Sequence, residues 1–175
     1  MEETEETKEL FERRFFAFWK APKRKRLLAQ FEEVVNRPIY SWSRGGCALA
    51  AEAIRRWFAL HGFPACLAEA DVQGDRREHV VVDIGGTYFD PQRIGDAALF
   101  ATLQIALHDA GDDTLHFYPF DEQVCRALVT QLQVELGPPP YGLYKSQFAY
   151  QQTLPMEIPA PRSMLKRGPK PKRWS

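Results

Sequence analysis

The sequence predicts an α+β domain in which a cysteine-bearing helix packs on a small antiparallel sheet, with extra helices around it. Residues 46–60 carry apolar side chains at helical spacing. EHVVVDI, residues 78–84, instead alternates between apolar and polar side chains before Gly85 and Gly86. A glycine pair between two extended runs is typical of a tight β-hairpin, which favours antiparallel pairing. The 175 residues suit one compact domain with tails.

The remaining elements are predicted from the same two patterns, helical spacing and strand alternation. Helical spacing and capping residues predict further helices over residues 5–19, 23–35, 97–109 and 122–137. Extended segments predict a sheet of about three strands, with candidate strands over residues 63–72, 78–84, 87–90 and 114–120. We divide the chain into an acidic N-terminal helix, a core domain and an extended, Pro-rich, basic C-terminal tail, with boundaries 1–22, 23–140 and 141–175.

Charge is balanced overall but uneven along the chain. Residues 2–12 contain six glutamates and one lysine. Six basic residues of the tail would contact a polyanion, namely Arg162, Lys166, Arg167, Lys170, Lys172 and Arg173. No stretch approaches the roughly 18 apolar residues that span a bilayer, and the N-terminus lacks the apolar core of a signal peptide. We therefore expect a cytoplasmic protein without a membrane partner.

The three cysteines are spaced for neither a disulfide framework nor a zinc site, because none forms a CxxC pair. Cys47 differs from the other two because it follows Gly45 and Gly46 near the start of a predicted helix. With Ser43 as the N-cap, the first turn would favour the thiolate. The glycines would leave room for a substrate carbonyl, and backbone N–H groups near Gly46 and Cys47 would bind the developing oxyanion.

A nucleophilic cysteine needs a base, and the predicted hairpin supplies one. If Ile84 pairs with Thr87, the period of two places His79 on the same face as Asp90 and Gln92. Asp90 then lies diagonally across from His79, within reach of its imidazole. We assign Cys47 as the nucleophile, His79 as the base and Asp90 as the group that orients the base. Gln92 is the reserve candidate for the orienting group.

This order of residues resembles the papain-like superfamily, in its transglutaminase-like and arylamine acetyltransferase-like branch. The matching segments are GGCALAAEAIRRWF (45–58) and HVVVDIGGTYFDPQ (79–92), and small bacterial and phage proteins carry a similar pattern. The resemblance implies a papain-like core, a Cys-His-Asp triad and a thioester intermediate. It also implies a hydrolase of peptidase, amidase or deamidase type, or an acyl transferase, acting on a protein or peptide without cofactor or metal. Trp42 would replace the aromatic residue that usually adjoins the cysteine.

Two other interpretations stay open. Cys47 is also compatible with a small buried side chain on the apolar stripe of its helix. The whole chain would then be a catalytically inactive papain-like module that binds protein or nucleic acid through its basic tail.

On the helix that carries Cys47, Glu52, Arg55 and Arg56 are predicted to face solvent.

Overall fold

The computed structural model describes residues 2–72, 78–96, 103–104 and 118–140, and it confirms the α+β class. In chain order the described elements are α1 (Glu2–Lys20), α2 (Pro22–Val35), α3 (Cys47–Leu60), β1 (Cys66–Val72), β2 (Glu78–Ile84), β3 (Thr87–Asp90), β4 (Arg93–Gly95), β5 (Leu103–Gln104) and α4 (Glu122–Leu136). No helix in this part of the chain is both long enough and apolar enough to cross a membrane. The predicted tail, 141–175, lies outside the described residues.

The strands form one antiparallel sheet in the order β4-β3-β2-β1-β5. The predicted hairpin is confirmed, since Ile84 pairs with Thr87 and Val82 with Phe89. Gly85 and Gly86 have φ values of 62° and 88°, which glycine adopts without steric cost in a two-residue hairpin turn. The described sheet is larger than the predicted three strands because β4 and β5 extend its two edges.

Part of the predicted helix over 97–109 is wrong. Leu103 and Gln104 form strand β5 and pair with Val72 and Asp71 at the edge of β1. Backbone pairing with an open strand edge outweighs local helical propensity here. The rest of that segment lies outside the described residues. Of the predicted strand over 114–120, only residues 118–120 are described, and they are not extended in a sheet.

Helix α3 lies on one face of the sheet and forms the centre of the core. The predicted alternation is confirmed, because Val80, Val82 and Ile84 of β2 are buried together with α3. Val81 lies on the opposite face in a separate cluster with Ala68 and Tyr88. The aromatic side chains of α1 belong to the same core as α3, so the N-terminal helix is packed into the domain.

A buried arginine joins the N-terminal helices to α4. The Arg24 side chain is only 1% exposed and contacts both carboxylate oxygens of Glu135, at 2.7 and 2.6 Å. It also donates to the Phe18 carbonyl at 2.8 Å and to Gln131 Oε1 at 2.7 Å. This ion pair lowers the pKa of Glu135, chiefly through the hydrogen bonds from Arg24.

Replacing Glu135 by alanine should lower the free energy of unfolding by about 3 kcal/mol, because it leaves a buried guanidinium without its counter-charge. Urea denaturation measures this change. Glu122 is the matched control, since it lies on the same helix and pairs with Arg56 and Arg126 while its side chain is 46% exposed. Glu122→Ala should cost less than about 1 kcal/mol. Equal losses in the free energy of unfolding for the two variants would contradict the idea that burial makes the Arg24–Glu135 pair important for stability.

Candidate active site

Cys47 is the first residue of α3, and Gly46, rather than the predicted Ser43, is the N-cap. The residue is 4% exposed. The first N–H groups of a helix have no carbonyl acceptor within it, and Gly46 has no side chain that could accept from them. The sulfur therefore lies at the positive end of the α3 dipole, where an anion is stabilised.

The backbone gives both glycines before Cys47 a structural reason, and the open approach that we predicted for a substrate stays a prediction. Gly45 has a φ of 93°, which side-chain-bearing residues rarely adopt. A Cβ on Gly46 would lie 3.0 Å from the Ser41 carbonyl oxygen and 3.2 Å from the Trp42 Cα. Gly46 is thus required for α3 to start against the loop that precedes it.

Gly46→Ala should lower the free energy of unfolding by about 1 to 3 kcal/mol, because the added methyl group must displace the Ser41 or Trp42 backbone. Urea denaturation measures the loss. An unchanged unfolding midpoint would show that the loop yields without cost, and the close packing of Gly46 would then not explain this glycine.

The hairpin brings His79 and Asp90 into direct contact, as the predicted register requires. His79 Nε2 is hydrogen-bonded to Asp90 Oδ2. Both side chains are largely buried, at 13% and 4% exposure, so water screens their interaction weakly. The Cys47 thiol also interacts with His79 and contributes to its charge state, and Nδ1 is the ring nitrogen that Asp90 leaves for it.

The charge state of His79 follows from these two neighbours. Burial lowers the pKa of His79, but the hydrogen bonds with Asp90 and Cys47, and their charges, outweigh burial and raise it to about 9. His79 therefore holds a proton at neutral pH. An imidazolium beside a sulfur atom favours the thiolate, which is the nucleophilic form of cysteine.

Asp90 is fixed by two further hydrogen bonds that the sequence did not reveal. Its Oδ1 accepts from the Gln92 backbone N–H at 2.6 Å and from Ser43 Oγ at 3.3 Å. The Gln92 side chain is exposed, so Gln92 contributes its backbone and not the amide predicted as a reserve orienting group. Ser43 was predicted as a helix cap. Its role here depends on a partner 47 residues away, which no local pattern indicates.

The predicted oxyanion donors are only partly available. The Gly46 N–H donates to the Ser41 carbonyl at 3.1 Å, so Gly46 is not a free donor. The N–H of Cys47 stays in the first turn without a helical acceptor. Trp42 is buried and stacks on Phe31 with ring centroids 6.3 Å apart, so it supports the loop from inside the core.

The other two cysteines have different surroundings. Burial is the chief cause that raises the pKa of Cys125 to about 12, so its thiol is inert at neutral pH. Cys66 is exposed at the start of β1. Among the described residues, no three His, Cys, Asp or Glu side chains are grouped to hold a metal ion.

Asp83 lies on the same face of the hairpin as His79, and its side chain stabilises the turn. Its Oδ1 accepts from the Gly86 backbone N–H at 2.8 Å. The face therefore separates into a turn-stabilising carboxylate at one end and the His79–Asp90 pair at the other. This separation agrees with the choice of Asp90 over Asp83 as the partner of His79.

Comparison with known proteins gives no assignment. No protein-family model matches the chain, and neither the curated proteins nor the solved structures include a significant match. The papain-like core thus remains a prediction that depends on residues 45–58 and 79–92.

Proposed function

We propose that the protein is a cysteine-dependent hydrolase or acyl transferase that acts on amide or isopeptide-like bonds. The observation that carries this proposal is the position of His79, which is hydrogen-bonded to the Asp90 carboxylate and interacts with the Cys47 thiol at the start of α3. A thiol, an imidazole and a carboxylate in this order form the relay that activates a nucleophile in acyl transfer. Hydrolysis of peptidase, amidase or deamidase type is our first choice.

In the first half of the reaction, the Cys47 thiolate, stabilised by the His79 imidazolium, forms a C–S bond with the substrate carbonyl carbon while the C=O π electrons move onto oxygen. The Cys47 backbone N–H stabilises the oxyanion that develops. The imidazolium then gives its proton to the leaving nitrogen as the C–N bond breaks, which releases an amine and leaves a thioester on Cys47. Asp90 stabilises the imidazolium throughout and keeps its ring in place.

In the second half, His79 takes a proton from water, and the resulting C–O bond replaces the C–S bond. Cys47 leaves as a thiolate, and the net change is amide plus water giving acid plus amine. An amine in place of water would give acyl transfer with the same residues. No step needs a metal, an oxidant or a reductant.

Selective alkylation tests the proposal without knowledge of the substrate. The full-length protein is treated with iodoacetamide at pH 6 to 8, and the labelled cysteines are identified by peptide mass spectrometry. We expect Cys47 to react faster than the exposed Cys66 below pH 8, although Cys47 is nearly buried. Equally slow labelling of all three thiols would favour the inactive binding module.

A further inference from the structure

Next to the site lies a cleft with a volume of about 400 Å³. It is bounded by the α1–α2 junction, the loop before α3 and the turn after β3. Its lining includes Ser43 and Gln92, both of which hydrogen-bond to Asp90. The cleft therefore adjoins the carboxylate end of the triad and shares with α3 the loop that leads to Cys47.

The walls of the cleft combine aromatic surface with positive charge. Tyr40 supplies the exposed aromatic surface, Trp19 and Trp42 border the cleft with only 5% and 4% exposure, and Lys20 and Lys25 supply the cations. Tyr40 is 71% exposed and carries Arg44 over its ring at 4.8 Å. No lining residue is a carboxylate. Asp90 is hydrogen-bonded to two lining residues from behind the wall, and its other carboxylate oxygen contacts His79.

Two features of this cleft lack partners within the described part of the chain. Lys20 and Lys25 form no ion pair there, whereas Lys23, between them, lies 3.9 Å from Glu135. The indole N–H groups of Trp19 and Trp42 are buried without a hydrogen-bond acceptor. A buried donor without an acceptor is costly, and these two N–H groups lie too deep for a ligand oxygen to contact them without a rearrangement of the wall.

The start of α2 adds no negative charge to the cleft. Its first turn contains no acidic residue, and its N-cap, Ala21, gives no side-chain hydrogen bond. Pro22 has no N–H, and the Arg24 N–H donates to the Ala21 carbonyl at 2.9 Å, so this turn offers a ligand few free donors. The two lysines without ion pairs are therefore the feature that favours a negatively charged group.

We propose that this cleft binds an acidic peptide segment, in which a carboxylate meets Lys20 and Lys25 while a neighbouring apolar side chain packs on the exposed Tyr40 ring beside Trp19 and Trp42. Lysine matches a carboxylate through charge, and the Tyr40 ring matches apolar surface. The assignment of this peptide as the substrate rests on the proposed function, because its amide would extend toward Cys47. Peptide binding itself does not depend on that function.

The test uses the full-length Cys47→Ser variant, which binds without turnover. Ac-Ala-Leu-Glu-Ala-NH2 and its glutamine counterpart are titrated while the tryptophan indole N–H signals are followed by ¹⁵N NMR. We expect the acidic peptide to shift the signals of Trp19 and Trp42 and to bind about tenfold more tightly than the glutamine peptide. Trp57 is the internal reference, because its indole N–H donates to the Gly137 carbonyl at 3.0 Å.

Two double variants separate the cleft from general electrostatics. Lys20→Gln with Lys25→Gln should abolish the preference for the acidic peptide. Lys23→Gln with Arg26→Gln changes the net charge equally but lies outside the cleft lining, and it should keep the preference. Equal loss in both variants, or equal binding of both peptides, would overturn the proposal.

A second copy of the chain is the competing occupant, because residues 2–12 carry six glutamates. Light scattering that shows a dimer dispersed by the Lys20 and Lys25 substitutions would replace the peptide by a self-contact. These outcomes are independent of Cys47 reactivity. If Cys47 is reactive but the acidic peptide is not preferred, only the assignment of the cleft is rejected. If the acidic peptide is preferred but Cys47 is unreactive, only the enzyme proposal is rejected.

Discussion

His79→Ala should slow the reaction of Cys47 with iodoacetamide at pH 7 by about a hundredfold. The substitution removes the imidazolium that interacts with the sulfur and favours its thiolate form. The dipole of α3 remains, so some thiolate stabilisation persists. The rate is measured by peptide mass spectrometry after treatment of the parent protein and the variant at the same pH.

His61 provides the matched control for this experiment. It ends α3, and its Nε2 is 2.7 Å from Gln133 Oε1, far along the helix from the Cys47 end. His61→Ala should leave the labelling rate of Cys47 unchanged. Circular dichroism and the labelling of Cys125, which stays buried in the intact fold, check that neither variant is unfolded. Fast labelling of Cys47 in His79→Ala would overturn the proposed role of His79.

The sequence was enough to predict which side chains of the hairpin share a face, because this depends on local geometry. Once the glycine pair fixes the turn, a period of two determines which side chains share a face. His79 and Asp90 then meet regardless of what the rest of the chain does. Their hydrogen bond agrees with this reasoning, which used no information beyond the alternation of residues 78–90.

The surroundings of Cys47 could not be predicted in the same way, because they depend on contacts between distant elements. Ser43 meets Asp90 across 47 positions, and Gly46 packs on a loop that α1 and α2 hold in place. That loop is anchored by Trp42 against Phe31 and by the Ile39 N–H, which donates to Glu32 at 2.8 Å. Helical spacing indicates which residues are apolar but not which loop they support.

Glu52 shows how side-chain pairing changes burial. It was predicted to face solvent, yet it is 3% exposed. Arg55 and Arg56 each contact its carboxylate at 2.7 Å and cover it. Burial raises the pKa of Glu52, but the hydrogen bonds and charges of the two arginines outweigh burial and lower it. A helical wheel places all three on one face but does not predict that the arginine stems fold over the carboxylate.

The N-terminal helices also support the loop that lies beside the candidate site. α1 and α2 hold the loop that carries Ser43, and Arg24 ties both helices to α4. Loosening that ion pair should therefore disturb the Ser43–Asp90 contact as well as global stability.

Asp90→Asn should shift the titration of His79 toward its ordinary value of 6.5, from about 9 in the parent protein. The asparagine keeps the shape of the side chain but removes the negative charge that favours the imidazolium. NMR of the four histidine ring signals, assigned with His79→Ala, measures the change directly. Cys47 alkylation at pH 7 should also slow, by about tenfold or more, because the neutral imidazole no longer favours the thiolate.

Asp83 is the matched control, because it lies on the same face of the hairpin but accepts from the Gly86 N–H. Asp83→Asn should leave the His79 titration in place, even if the turn becomes less stable. An unchanged His79 titration in Asp90→Asn would mean that the neighbouring carboxylate does not control the charge of the base, and the orienting role of Asp90 would be rejected.

The same substitution should change how stability depends on pH. Because the folded pKa of His79, about 9, lies above its ordinary value of 6.5, the bound proton stabilises the fold below pH 6.5. That contribution is lost as pH rises through 9. Urea denaturation should therefore show the parent protein losing stability across this window, whereas Asp90→Asn should show a flatter profile. Parallel profiles in the two proteins would place the origin of the pH dependence outside the His79–Asp90 pair.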